Sequence, residues 1–486
     1  MNDILSLTPK GVWKNFYELS QVPRPSGHMG PVTEFLVNFG KKLNLETFVD
    51  EIGNVIIRKP ATKGYENKKG VILQAHMDMV PQKNNDTVHD FTKDPIQVYV
   101  DGEWVKAKGT TLGADNGLGV AAIMTVLEDD TLKHGPIEAL ITKDEETGMY
   151  GAFGLKKEDI KGEILLNLDS EDEGELYIGC AGGVDINVEF KYRNEPVKAG
   201  HTALRVDLKG LRGGHSGLEI NQGRANANKL MFRFLHKASE KFGARISEME
   251  GGNMRNAIPR EAYAIITLPA DKEQEAIKLV AECEALFRSE YDTIEDAISF
   301  KAAKAEMPQY EMQKDAQDRF VNAILACQNG VMRNIPTIPD TVETSSNMSI
   351  VKISNETAEV KLLTRGSCDS MKFFLAESIK SAFTLAGAEV TFSGAYSGWQ
   401  PNVNSPIMLA MKEAYEKQFG TDPAVKVVHA GLECGIIGAN IPGLDMVSFG
   451  PTLRSPHSPD ERAYIPSVKK FYEFLVATLE NIPEKK

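Results

Sequence analysis

Cysteine is scarce here and poorly placed for its usual structural work. The five, Cys180, Cys283, Cys327, Cys368 and Cys434, are scattered and odd in number, and no two form a Cys-x-x-Cys pair. A disulfide scaffold and a thiolate zinc centre are therefore not expected, and a reducing compartment is. Long apolar runs are also missing. No stretch approaches the roughly 20 apolar residues that cross a bilayer. The first residues, Met1-Asn2-Asp3-Ile4-Leu5, lack the basic and apolar blocks of a secretory leader, so a cytoplasmic location is expected. An excess of positive charge is absent too. Lys and Arg number 55 against 68 Asp and Glu, a net charge of −13, which argues against nucleic acid or anionic membranes as partners.

What remains is an ordinary globular composition, 42% apolar and 25% charged. At roughly 100–200 residues per domain, 486 residues make about two to four domains. Over the first 180 or so residues, helical and strand-like patterns alternate. Val32–Leu43 and Gly117–Glu128 read as helices, and Val55–Ile57, Val71–Leu73, Ile137–Ile141 and Ile164–Leu168 as short apolar strands. That alternation predicts an α/β sheet covered on both faces. Between 183 and 398 the character changes. Val184–Tyr192 and His201–Lys209 alternate apolar and polar residues, as half-exposed antiparallel strands do, and Ala225–Phe242 and Lys272–Ser289 are amphipathic. Asn256-Ala-Ile-Pro before Ala262–Leu268 is echoed by Asn347-Met-Ser-Ile before Ala358–Leu363, which raises the prospect of a duplicated α+β unit. From 399 the α/β pattern returns. The expectation is a discontinuous domain, 1–182 with 399–486, interrupted by an insert at 183–398.

Five segments put ligand-type side chains at or near the ends of apolar runs, where open α/β sheets bind their ligands. The strand Val71-Ile-Leu-Gln-Ala-His76 is followed by Asp78, and alternation puts His76 and Asp78 on one side. Read alone, His76 is a satisfied core histidine. Asp115, in Gly113-Ala-Asp-Asn-Gly117, reads equally as a helix cap or a turn. The acidic run Asp144-Glu145-Glu146 is either a solvated charge run or a ligand beside a general base. Asp169 closes the strand from Ile164, and His457 sits in the Pro-rich loop Ser455-Pro-His-Ser-Pro459. Together, two histidines and three carboxylates suit two divalent first-row ions, one carboxylate bridging them.

In this order the five motifs resemble the co-catalytic di-zinc exopeptidases of the aminoacylase and peptidase T kind, and within them the Xaa-His, carnosinase-like dipeptidases. The resemblance spans essentially the whole chain. It implies a mixed-sheet catalytic domain with an inserted lid, and two metal ions per chain, zinc first, with cobalt or manganese as alternatives. Asp115 would bridge the ions, with His76 and Asp169 on one and Glu146 and His457 on the other. Asp78 would stand behind His76, and Glu145 would be the general base. The Asp115–Asn116 peptide bond would be cis.

In the insert, Gly210-Leu-Arg-Gly-Gly-His215-Ser-Gly217 resembles a lid motif whose histidine steadies the oxyanion; the bland reading is a surface histidine between glycines. Asn256 and Arg365 match substrate-binding positions, Arg365 for a C-terminal carboxylate. Glu433 matches a position near the substrate amino group, though a helix N-terminal acid is as reasonable there. The insert is longer than the single lid of smaller members, and a doubled lid would let His215 act within one chain. A homodimer remains open. The implied activity is hydrolysis of dipeptides with a free amino terminus. The alternatives are an N-acyl-amino-acid amidohydrolase or tripeptide aminopeptidase on the same scaffold, or a peptide- or cation-binding protein.

Overall fold

The computed structural model describes residues 3–485. The chain divides into two compact units, one made of Met1–Gly179, Trp399–Val427 and Leu432–Lys486, the other of Cys180–Gly398 with Val428–Gly431. The four residues Val428–Gly431 therefore group with the middle of the chain, not with the C-terminal segment in which they lie.

The first unit is built on an eight-stranded sheet. Its four central strands, Ile137–Thr142, Val71–His76, Ile164–Asn167 and Asp445–Ser448, are parallel neighbours in that order. Every residue of Val71–His76, Ile137–Thr142 and Ile164–Asn167 is buried, as expected of strands covered on both faces. Antiparallel pairs finish the edges, Glu46–Val49 on Val55–Lys59 among them. Helices Lys10–Ser20 and Ala114–Glu128 pack one on the other, the latter buried along nearly its whole length. Four short strands, Val98–Asp101, Trp104–Ala107, Leu453–Arg454 and Arg462–Tyr464, form a separate small sheet that ties the C-terminal region to residues near 100.

The second unit is organised by a nine-stranded antiparallel sheet. Its order is Ser299–Lys304, His201–Lys209, Ala262–Pro269, Arg245–Gly251, Val342–Ser354, Thr357–Gly366, Gly182–Lys191, Glu389–Tyr396, with Gly330–Asn334 beside Val342–Ser354. The two halves carry the same order about the central Arg245–Gly251 and Val342–Ser354 pair. One half is a continuous stretch, His201–Lys209 to Ser299–Lys304; the other opens with Gly182–Lys191 and resumes after it. In each half, two strands joined in sequence lead into a long helix, Glu273–Glu290 in one and Asp369–Ala386 in the other. In the core beneath, Phe190 stacks on Phe320 and Phe232 meets Phe320 edge-on, with ring centroids 5.2 and 5.9 Å apart. Each such buried ring contributes roughly 1.5–3 kcal/mol. Helix Ala227–Phe242 starts where the Asn226 side chain accepts from Lys229 N at 3.2 Å, and stops at Gly243, whose φ of +66° suits glycine. Among the described residues, no helix is long and apolar enough to cross a membrane.

Candidate metal centre and peptide-binding groups

All five sequence-predicted ligands belong to the first unit, and all follow the carboxyl ends of its four parallel strands or open the helix beside them. His76 is the last residue of its strand. Glu145 and Glu146 come just after Thr142, and Asp169 two residues after Asn167. His457 lies further along the chain leaving Asp445–Ser448, in the loop between Leu453–Arg454 and Arg462–Tyr464. Asp115 enters from the side at the start of Ala114–Glu128, where Asp115 and Asn116 are not helical and the bond between them is cis, as the resemblance implies.

Asp115 is the hub. Its Oδ1 lies 3.0 Å from His76 Nε2, and its Oδ2 lies 3.2 Å from His457 Nε2. His76 Nε2 is also 3.4 Å from Asp169 Oδ1, and His457 Nε2 is 3.0 Å from Glu146 Oε2. The two oxygens of one carboxylate thus face two separate histidines, each with a second carboxylate. His76, Asp115 and Glu146 can each offer an atom within 4.8 Å of the others. Glu146 Oε1 is buried with no hydrogen-bond partner, and buried Asp169 Oδ1 has only the long His76 contact. Buried carboxylate oxygens left unpaired are costly. Cations between these groups would remove that cost, and the imidazole and carboxylate donors fit divalent metals.

The electrostatics point the same way. Burial pushes Asp169 up to about 6, with Asp115 and Glu146 adding repulsion. Asp115 and Glu146 together hold the His457 imidazole up at about 11, and carboxylates around His76 raise it against its burial. The imidazoles keep protons because the acids demand positive charge, and a bound ion would replace those protons. Burial, with Asp169, Glu433 and Glu146 nearby, also raises the Glu145 carboxyl well above the usual range.

Asp78 is fully buried behind His76, its Oδ1 3.3 Å from Nδ1. It also accepts the N–H groups of Glu145 at 3.0 Å and Glu146 at 3.3 Å, and the Ser26 hydroxyl at 2.8 Å. The His76 and Ser26 side chains and the Glu145 amide pull its pKa down to about 2 despite burial. Beneath the strand ends runs a buried polar layer. Asn167 donates to Gln74 Oε1 at 2.5 Å, and Gln74 and Thr142 donate to Glu433 Oε2 at 2.6 and 2.7 Å. Glu433, expected near a substrate amino group, is itself wholly buried in this layer.

Three residues of this neighbourhood were not singled out from the sequence. Gln74 had a signal, the one polar side chain within an apolar strand. Glu461 accepts four backbone N–H groups of the Asp115 turn, at 2.7 to 3.2 Å. Buried Arg24 donates to the carbonyls of Met77, Asp78 and Gly113. Gly113 has a φ of +69°, and a Cβ there would lie 2.6 Å from an Arg24 nitrogen, so glycine is required.

In the second unit, His215 ends the short strand Gly214–His215, which pairs with Ala257–Ile258. Its Nδ1 accepts from Gly217 N at 3.2 Å and Leu218 N at 3.0 Å. That assigns the ring proton to Nε2, leaving an N–H donor. Burial and the Arg365 charge lower its pKa to about 4, so the ring is neutral at pH 7. Arg365 is 5% exposed and donates to Tyr396 Oη at 3.2 Å, with an Nη2 3.5 Å from His215 Nε2. Asn256 is exposed, and its carbonyl accepts from Ser216 N at 2.8 Å. The structure thus brings His215 and Arg365 side by side, and places Asn256 on the strand connection beside them.

The chain as a whole is similar to known peptidases. The profile described as peptidase family M20/M25/M40 matches residues 72–481. The chain is 45% identical to the cytosol non-specific dipeptidase of Escherichia coli (strain K12), over 100% of both chains. It superposes on the crystal structure of aminoacylhistidine dipeptidase from Vibrio alginolyticus with a TM-score of 0.95 at 46% identity, covering 99% of each. Aminopeptidase PepT from Bacillus cereus shares the fold, with a TM-score of 0.58 at 17% identity over 98% of this chain and 99% of that one. The resemblance carried by the five strand-end motifs therefore holds over the full length: the chain is a peptidase belonging to family M20/M25/M40.

Proposed function

We propose that the protein is a metal-dependent dipeptidase that cleaves dipeptides with a free amino terminus, Xaa-His among them, using two divalent ions, zinc first. The observation that carries this reading is the single Asp115 carboxylate facing His76 with one oxygen and His457 with the other. His76 and Asp169 would hold one ion, Glu146 and His457 the other, and Asp115 both. Two such ions, when bound, supply Lewis acidity toward a peptide carbonyl and lower the pKa of water.

The chain's own groups do the rest. Glu145, with its raised pKa, takes a proton from the attacking water and gives it to the leaving amine. Asp78 positions His76 and, through two amides, the Glu145–Glu146 pair. His215 offers Nε2–H to the developing oxyanion, and Arg365 grips the peptide carboxylate. Asn256 is assigned to substrate with them. Glu433 holds the strand ends in register and lies near the general base. The names of the relatives, a cytosol non-specific dipeptidase and an aminoacylhistidine dipeptidase, support both the substrate class and a cytoplasmic location. The five scattered cysteines, odd in number, fit a reducing compartment.

Hydrolysis of carnosine, a tripeptide and an N-acetyl-amino acid, measured side by side with added zinc, tests the reading. Dipeptide turnover should lead. Carnosine cleaved no faster than the acetylated compound would reject it.

A further inference from the structure

The turn that carries Asp115 is held by a carboxylate from far along the chain. Four successive backbone N–H groups, of Leu112, Gly113, Ala114 and Asp115, all donate to Glu461, at 2.7, 2.9, 2.8 and 3.2 Å. Each carboxylate oxygen takes two. Glu461 is 2% exposed, as is Arg24, which takes the Gly113 carbonyl from the opposite side. Arg24 also donates to the Met77 and Asp78 carbonyls, just past His76. A buried anion and a buried cation thus clasp one peptide segment between them.

An acid at a helix start ordinarily needs no such burial. Burying a carboxylate costs far more than its interaction with a helix end returns. Position suggests what offsets the cost. Glu461 lies four residues after His457 in the same loop. His457 has a φ of +57° and a side chain 51% exposed, so packing does little to fix it. Glu461 is the anchored part of that loop, and what it anchors to is the Asp115 backbone.

We propose that Glu461 is a positioning residue that, with Arg24 opposite, sets the spacing between His457 and the Asp115 carboxylate, and thereby the affinity of the ion site that His457 shares with Glu146. The inference rests on the two-ion reading above. Glu461→Gln puts an amide nitrogen against two N–H donors, breaking half of the clasp while keeping its size.

Zinc binding to the metal-free full-length protein, read by competition with a chromogenic chelator, is the test, with circular dichroism as the check on folding. Wild type should bind two ions. Glu461→Gln should keep one at wild-type affinity and bind the other roughly 10- to 100-fold more weakly. If that variant does not fold, Glu461→Asp, which keeps the charge but shortens the reach, is read the same way. Two ions at wild-type affinity in a folded variant would overturn the proposal. So would equal weakening of both ions, or loss of folding in both variants, because Glu461 would then support the whole turn rather than one spacing. A wild-type protein that binds fewer than two ions would instead overturn the two-ion reading itself.

Discussion

Asp78 Oδ1 lies 3.3 Å from His76 Nδ1, on the side of the ring away from Asp115. The same carboxylate accepts the amides of Glu145 and Glu146, so one buried group orients a histidine and the adjacent acids together. Replacing Asp78 with Asn keeps the shape but puts a donor where an acceptor is needed. Zinc affinity and kcat should each fall roughly 10- to 100-fold, with little change in KM. Chelator competition and steady-state kinetics measure both. An unchanged zinc affinity would deny Asp78 the role of setting His76.

Glu145 is assigned the proton transfers, so Glu145→Gln should cut kcat on the order of 10²–10⁴-fold while two ions stay bound. Activity at the wild-type level would move the general base elsewhere.

Arg365→Ala should raise KM for dipeptides roughly 30-fold or more, the cost of losing one partner of a desolvated charge pair. A dipeptide amide, which lacks the carboxylate, is the control. Its hydrolysis should differ little between the two proteins, and an equal loss on both substrates would count against carboxylate recognition.

His429 gives the second unit a pH dependence. It is 8% exposed, and its Nε2 lies 2.7 Å from Ser345 Oγ. Burial, with the charge of Arg365, lowers its pKa to about 3. The unfolded state, with a histidine pKa near 6.5, binds the proton first on acidification. Stability is therefore full above pH ~6.5 and falls as pH drops toward 3. By pH 5 the loss from this residue should be about 2 kcal/mol. Denaturant unfolding of wild type and His429→Gln at pH 7.5 and pH 5 checks it, and the variant should show the smaller drop.

Much of this could be read from the sequence because the central strands are buried on both faces. Val71–Leu73 and Ile137–Ile141 appear as unbroken apolar runs, and the polar residue that ends such a run stands out. His76, Glu146 and Asp169 were legible for that reason. Glu461 was not. Its importance lies in four amides up to 349 positions away, and locally it is one more acid in a polar loop. Arg24 was hidden the same way, between two prolines near the N-terminus. The small sheet joining Trp104–Ala107 to Arg462–Tyr464 has strands too short to show alternation, and its pairing is nonlocal. The echo in the insert was visible in one strand–helix step, but its extent appears only in the sheet order.

In the proposed mechanism the Asp115 carboxylate joins two ions, with His76 on one side and His457 on the other. Anomalous diffraction from crystals grown with zinc tests it most directly. Two zinc peaks roughly 3.5–4 Å apart are expected, one against each Asp115 oxygen. One peak alone, or a second peak remote from His457 and Glu146, would contradict it.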